Sequence, residues 1–250
     1  MRHDGRDGYA VRPILIQTDY NIHAEGSCLI CCGNTRVLCT VSLDEKVPPF
    51  LKGSGTGWIT AEYGMLPRST SARSAREAAR GKLSGRTQEI QRLIGRSLRA
   101  VANLDILGER TLIADCDVLQ ADGGTRTAAV SGAFVAMVLA VDKLMQKGIL
   151  ETNPLLDFLA GVSVGIVDNR ILLDLDYYED SRAEVDLNLV CSGDGRLVEI
   201  QGTAEAYPFT DEQFFEMLEI AKLGIQEIID QQKQALDGRV NLQRLFPHLE

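Results

Sequence analysis

Residues 111–147 combine a strand pattern, a turn with two glycines and a long apolar helix, and this succession constrains the fold more than any other stretch. Residues 111–120 are predicted to form the strand. Residues 126–147 are apolar almost all round, which predicts a helix buried between two layers. Because 45% of the residues are apolar, the chain has ample material for such a core.

The turn between this strand and this helix has the chemistry of an anion site. Gly123 and Gly124 let backbone N–H groups come close to a ligand, because glycine has no Cβ. The start of the helix adds unpaired N–H donors, and Arg126 adds a planar cation suited to phosphate. The turn matches neither the dinucleotide pattern G-x-G-x-x-G nor the P-loop pattern. It predicts a phosphate-type anion, although many strand–helix turns contain glycine and bind nothing.

Positive charge is concentrated between residues 68 and 99 of a chain whose net charge is −9. This segment has nine cations and two glutamates, a net charge of +7. Such a stripe is typical of a surface that binds a polyanion, and a solvated arginine-rich surface is the alternative. Residues 69–83 have almost no large apolar side chain and are predicted to form an exposed, mobile loop. We call it the arginine loop; its arginines, with the one just before it, are Arg68, Arg73, Arg76 and Arg80.

A helix is predicted from about residue 84, because apolar residues recur at helical spacing from Ile90 to Val101. Arg86 lies in its first turn, where a cation is unfavourable against the helix dipole unless an anion lies nearby. Arg86 is therefore a second candidate for the anion site, with an ordinary surface arginine as the alternative. The other arginines of this helix fall outside its apolar stripe: Arg92, Arg96 and Arg99.

Acidic residues crowd the segment 173–188. Carboxylate oxygens are the ligands that Mg²⁺ and Mn²⁺ prefer, so the segment predicts a metal site, with a solvated acidic strand edge as the alternative. Glu184 and Asp186 alternate with apolar residues and are predicted to share a strand face. The six acids are Asp174, Asp176, Glu179, Asp180, Glu184 and Asp186. A smaller pair, Asp115 and Asp117, lies two residues apart on one face of the predicted strand 111–120. It is expected to orient Arg86 or Arg126, with a metal-binding role as the alternative.

The order of elements predicts an α+β fold made of two similar halves, with helices on and between sheets. In residues 10–148, strands precede the arginine segment and the buried helix. In residues 155–236, two hairpins precede a long helix capped by Thr210. A turn at Gly33-Asn34 joins the first clear hairpin.

The remaining composition excludes several classes of protein. No run reaches the roughly 18 uninterrupted apolar residues of a membrane span, and the charged N-terminus lacks the apolar region of a signal peptide. The expectation is a cytoplasmic protein without a membrane partner. The six cysteines have no histidine at a zinc-finger spacing, which favours buried thiols in strands over a metal or redox site.

Several motifs in this order resemble ribonuclease PH, a family of phosphate-dependent exoribonucleases, over nearly the whole chain. They are R-H-D-G-R at 2–6, G-N-T-R-V at 33–37, E-Y-G-M-L-P-R at 62–68, G-R-T-Q-E-I-Q-R-L-I-G-R at 85–96, D-C-D-V-L-Q-A-D-G-G-T-R-T at 115–127, the acidic segment 173–186, and E-I-Q-G-T-A-E at 199–205. Where some relatives have lysine two residues after the second aspartate, this chain has Asn188.

The resemblance implies a function and a set of site residues. The family phosphate site maps onto Arg86, Gly124, Thr125 and Arg126, and its catalytic, metal-binding aspartates map onto Asp180 and Asp186. It implies trimming of precursor tRNA 3′ ends by inorganic phosphate, with a divalent ion, Mg²⁺ above all, and release of nucleoside diphosphates. It also implies a homo-hexamer, a trimer of dimers, in which arginines face RNA.

Three rival functions remain open at this point. An inactive, exosome-type ring subunit shares the fold and only binds RNA, but such subunits usually lack the arginine or aspartate pairs present here. Polynucleotide phosphorylase needs two such units, and this chain has room for one. A metal-dependent phosphatase would hydrolyse its substrate without phosphate.

Overall fold

The computed structural model describes residues 2–247, apart from the side chains of Ala78 and Arg80. Two β-sheets and a set of helices form the architecture, as predicted for an α+β chain. The first sheet has five strands in the order β1-β2-β3-β5-β4, and only β4 and β5 pair in parallel. Its strands are β1 (Ile14–Thr18), β2 (Gly26–Cys32), β3 (Thr35–Asp44), β4 (Trp58–Met65) and β5 (Thr111–Gln120).

The second sheet has four antiparallel strands in the order β7-β6-β8-β9. Its strands are β6 (Leu159–Val167), β7 (Arg170–Leu173), β8 (Val185–Ser192) and β9 (Leu197–Ala204). The helices are α1 (Gly85–Ala100), α2 (Leu104–Leu107), α3 (Thr125–Gln146), α4 (Tyr177–Asp180), α5 (Asp211–Leu236) and α6 (Leu242–Leu245), with 3-10 turns at Pro49–Leu51 and Glu77–Arg80.

Helix α3 lies between the sheets, which confirms the prediction from its all-round apolar surface. One side packs on β2 and β3, and the other side packs on β6. By length and composition α3 could cross a membrane, but 89% of its most apolar window is buried inside this fold. Its Phe134 belongs to an aromatic cluster with Phe158 and Phe246, which joins elements from distant parts of the chain.

The outer layers complete one continuous core. Helix α5 covers the other side of β6 and reaches β1, and α1 packs on β4 and α3. Thr210 caps α5 through a reciprocal pair of hydrogen bonds with Gln213, as its position predicted. The six cysteines are unpaired; Cys31 is half-buried and the other five are buried in strands.

Candidate active site

One cavity of about 540 Å³ opens where the two sheets meet the first turns of α1 and α3. The residues that the resemblance assigns to the phosphate site and to the metal site all line it: Arg86, Gly124, Thr125, Arg126, Asp180 and Asp186. The other four acids of the segment 173–188 are not among the residues that line it. They come from α1, the β5–α3 turn, α3, α4 and β8. The tertiary structure therefore brings the two predicted parts of the site together, while the role of each residue stays a prediction.

The β5–α3 turn lies directly against the backbone that leads into α4. Gly123 has a φ of +75°, and a Cβ there would lie 2.6 Å from the Leu175 carbonyl oxygen and from the Asp176 carbonyl carbon. From the other side, the Thr35 hydroxyl donates to the Gly123 carbonyl at 2.7 Å and accepts from the Asp122 amide at 2.9 Å. Only glycine fits at residue 123, because the neighbouring atoms are backbone and the dihedral angle is left-handed.

Thr125, the first residue of α3, is held by a partner from β4. Its hydroxyl and that of Tyr63 are 2.8 Å apart, and both residues are buried. Burial raises the pKa of Tyr63, while nearby Arg86 and Arg126 act in the opposite direction. Since the first amides of a helix have no carbonyl partner within it, this end of α3 presents donors beside two guanidinium groups.

Arg126 is held in place by side chains from two other elements. Its Nη1 donates to the Gln201 side-chain oxygen and, at 3.4 Å, to a carboxylate oxygen of Glu89. Gln201 in turn donates to Glu89 at 2.7 Å. These contacts join α1, α3 and β9 around a guanidinium group whose side chain is 15% exposed. Sequence analysis did not select Glu89 or Gln201, because neither has a local pattern that indicates its partner.

Asp180 is the last residue of α4, a single turn with strong end contacts. The Asp176 and Glu179 side chains each accept from the other's backbone amide, at 3.0 and 3.2 Å. Glu179 is buried and pairs with buried Arg2, whose Nε donates at 2.7 Å. His3 lies near the same two acids, so three side chains that can bind a metal come together there, but Arg2 and Arg6 already offset the negative charge of the two acids. The N-terminal segment thus supports the helix that presents Asp180 to the cavity.

Burial disfavours the charged form of both Asp186 and Asp180, so the pKa of each carboxyl lies above its ordinary value. Burial, followed by the negative charge of Asp180, raises the pKa of Asp186 to about 6. The side-chain amide of Asn188, which donates to Asp186 at 3.3 Å, acts in the opposite direction. Desolvation also raises the pKa of Asp180, while Arg86 and Arg126 act against it. Asn188 is buried, and its side-chain amide lies 3.4 and 3.3 Å from the two carboxylate oxygens of Asp186.

Comparisons with known proteins agree along the chain. Residues 10–141 match the family model "3′ exoribonuclease family, domain 1", and residues 157–224 match "3′ exoribonuclease family, domain 2". Ribonuclease PH of Bacillus subtilis (strain 168) is 58% identical over 94% of this chain and 97% of its own. Ribonuclease PH of Moorella thermoacetica is 58% identical over 94% of each chain. The chain belongs to the ribonuclease PH family.

Solved structures show the same fold at low sequence identity. Rrp46 of rice (Oryza sativa) superposes with a TM-score of 0.76 at 18% identity, covering 94% of this chain and 100% of that one. A chain of the Archaeoglobus fulgidus exosome, solved with RNA bound to the active site, has a TM-score of 0.76 at 22% identity, covering 92% of this chain and 91% of that one. The ribonuclease PH fold predicted from the motifs is therefore confirmed.

The arginine loop begins at the cavity. Thr70 and Ser71 line the cavity, and Arg68 donates to the Ser71 carbonyl at 2.9 Å. Arg73 and Arg76 are exposed, as predicted. The side chain of Arg80 lies outside the part of the structure that is described. That the loop is mobile and binds RNA stays a prediction.

The other three arginines of α1, which follow Arg86, lie apart from this cavity. Arg96 pairs with Glu199 at 2.7 Å, and Arg99 stacks 4.2 Å above the ring of Trp58. Arg99 also donates to the Ile59 carbonyl at 2.6 Å. Together with Arg92 they line a separate hollow of about 290 Å³ beside β4. An RNA-binding role for them stays a prediction, and two of the three have partners within the chain.

The expectation that Asp115 and Asp117 orient the anion-binding arginines is wrong. In β5 the residues that face α3 are Ala114 and Cys116, so the two aspartates project from the opposite face of the sheet. Asp115 lies there opposite Glu62 of the neighbouring strand β4. Burial, followed by the negative charge of Glu62, raises the pKa of Asp115. Alternation along a strand indicates two faces and does not indicate which face a helix covers.

Proposed function

We propose that this chain shortens RNA from its 3′ end with inorganic phosphate as the attacking group. Precursor tRNA is the substrate, and nucleoside diphosphates are the products; the reverse reaction adds nucleotides to 3′ ends. The observation that carries the proposal is that a phosphate-type cradle and a carboxylate pair line a single cavity. The names of its relatives support the same conclusion.

The reaction needs two anions to approach each other. Arg86, Arg126 and the backbone amides at residues 124–126 hold the free phosphate and offset its charge. One of its oxygens attacks the phosphorus of the last phosphodiester, and the bond from that phosphorus to the 3′ oxygen of the preceding nucleotide breaks. Asp180 assists the transfer of a proton from the attacking hydrogen phosphate to the departing 3′ oxygen, and its raised pKa suits this task. The protein supplies position and charge, with no covalent nucleophile.

The two carboxylates fit a divalent cation, and Mg²⁺ suits them best. Asp180 and Asp186 face the same cavity, and their mutual repulsion contributes to the raised pKa of Asp186. Hard oxygen donors of this kind are those that Mg²⁺ and Mn²⁺ prefer. When bound, the ion stabilises negative charge that develops on the phosphate oxygens. Asn188 holds Asp186 in the orientation that this role requires.

The arginine loop, exposed beside the cavity, contacts the body of the RNA. Identical chains assemble into a hexamer, a trimer of dimers, so that these loops line a shared RNA path. The protein acts in the cytoplasm, where six unpaired cysteines are chemically stable. The bacterial relatives that this chain matches over most of their length are each named ribonuclease PH.

One assay tests the function. RNA with an accessible 3′ end is incubated with the protein and Mg²⁺, with and without inorganic phosphate, and the released nucleotides are identified. We expect nucleoside diphosphates only when phosphate is present. Nucleoside monophosphates in both conditions would indicate a hydrolase, and RNA binding without any release would indicate an inactive ring subunit.

A further inference from the structure

A buried ion pair that the sequence did not indicate joins the two halves of the chain beside the cavity. Arg12 donates from Nε and Nη2 to the two carboxylate oxygens of Asp174, at 2.9 and 2.7 Å. The Arg12 backbone amide donates to the same carboxylate at 2.7 Å. The two side chains are 5% and 9% exposed. Arg12 lies in the segment that matches the first family domain, and Asp174 lies in the second.

The same guanidinium group also holds the turn that precedes α3. Its Nη1 donates to the carbonyl of Asp122 and, at 3.5 Å, to that of Gly123. A Cβ on Gly124 would lie 2.8 Å from Nη2, so turn and guanidinium are in direct contact. The Arg12 side chain therefore contacts both the phosphate-binding turn and Asp174, the acid that begins the segment leading to α4 on the opposite side of the cavity.

Asp174 begins the segment that carries Asp180. Its φ of +52° is left-handed, a conformation that non-glycine residues keep only where their surroundings hold it. The Asp174 amide donates to the Ser163 carbonyl at 2.6 Å, and its carbonyl accepts from Arg2 at 3.0 Å. The backbone then runs directly into α4. The Asp174 carboxylate is therefore linked to Asp180 through a short stretch of backbone that is held at its start.

We propose that Arg12 and Asp174 are positioning residues of phosphorolysis. Their ion pair fixes the separation between the phosphate-binding turn and α4, and so aligns the attacking phosphate with the carboxylate that assists the leaving group. Neither residue lines the cavity, so neither touches the reacting atoms. The inference rests on the proposed function and adds to it the device that sets the geometry of the site.

Two conservative variants test the role. Arg12→Lys keeps the charge and loses the paired contacts to the carboxylate and the turn. Asp174→Asn keeps the shape and tolerates the left-handed backbone. Arg244→Lys and Asp142→Asn are the controls, since this pair is also joined at 2.7 Å and Asp142 is buried as Asp174 is, while Arg244 is more exposed than Arg12. The control pair lies near the far end of α3, about 25 Å from the turn by the rise of a helix.

Turnover is measured per folded molecule, below the unfolding midpoint of every variant, and RNA affinity is measured without phosphate. We expect kcat to fall about a hundredfold in Arg12→Lys and Asp174→Asn, as for a displacement of about 1 Å in a reacting site. RNA affinity stays at the wild-type value, and both controls keep wild-type kcat. The double variant loses no more than the larger single loss, because both changes break one link.

Wild-type kcat in folded Arg12→Lys overturns the proposal, and so does an equal loss of kcat in the control variants. If Asp174→Asn does not fold, Arg12→Lys decides alone. Failure of the proposed function gives a different result, since wild-type protein then releases no nucleoside diphosphate in the presence of phosphate.

Discussion

Replacing Gly123 by alanine tests whether the contact between the turn and α4 is as tight as the structure shows. The left-handed φ of +75° costs alanine about 1–2 kcal/mol. The new Cβ also meets backbone atoms of residues 175 and 176 at 2.6–2.8 Å, and backbone cannot rotate away as a side chain can. Overpacking of this kind adds about 1–3 kcal/mol, so the total loss in the free energy of unfolding is about 2–5 kcal/mol.

Gly148 supplies the matched control. Its φ of +69° is also left-handed, but a Cβ there would have no atom within 4 Å. Gly148→Ala therefore has only the conformational cost, and the two variants differ by about 1–3 kcal/mol. For a chain of this size that difference lowers the unfolding midpoint of Gly123→Ala by about 2–12 °C relative to Gly148→Ala.

The assay combines thermal unfolding with steady-state phosphorolysis. We expect Gly123→Ala to lose kcat as well as stability, because the displaced turn moves the phosphate relative to Asp180, whereas Gly148→Ala keeps kcat. Equal midpoints in the two variants would refute the contact argument. Normal kcat and a normal KM for phosphate in a destabilised Gly123→Ala would show that the turn does not position the phosphate.

Four further predictions concern charged groups of the site. Asp180→Asn keeps the fold and loses nearly all turnover; near wild-type phosphorolysis by a folded variant would contradict its assignment. Arg126→Lys raises the phosphate concentration needed for half-maximal release about tenfold to a hundredfold, because a charge-assisted hydrogen bond worth about 1.5–3 kcal/mol is lost, and tRNA affinity measured in parallel stays unchanged. Neutralising the arginines of the arginine loop raises the KM for precursor tRNA and flattens the salt dependence of that KM, while the KM for a short oligonucleotide changes much less. Equal changes for both substrates would contradict a contact between the loop and the body of the tRNA. The pKa of Asp186 is raised from 3.8 to about 6, so without divalent ions its contribution to stability falls as the pH rises through that window. Thermal unfolding should therefore show that Asp186→Asn is more stable than wild type above pH 6 and not below pH 4. A stability difference that is independent of pH would refute this.

Local patterns in the sequence determined most of the elements. Three of these patterns depend only on residues that are close together in the chain, so they can be predicted without the fold: the turn at Gly33-Asn34, the Thr210 cap and the all-round apolar surface of α3. The candidate site residues were also predicted, mainly because the order of several motifs resembles ribonuclease PH. The structure places those six residues around one cavity, which tests their proximity and leaves their roles to experiment.

Only the tertiary structure decided which side chains meet across the chain. Arg12 pairs with Asp174 over 162 positions, and Arg126 meets Gln201 over 75. Asp115 projects from the face of β5 that α3 does not cover. These outcomes depend on strand order and on which layer covers each face, since a periodic pattern specifies a face but not its neighbour. The packing of the layers decides which charged side chains become partners, because charges that are distant in the chain are buried together there and must balance one another.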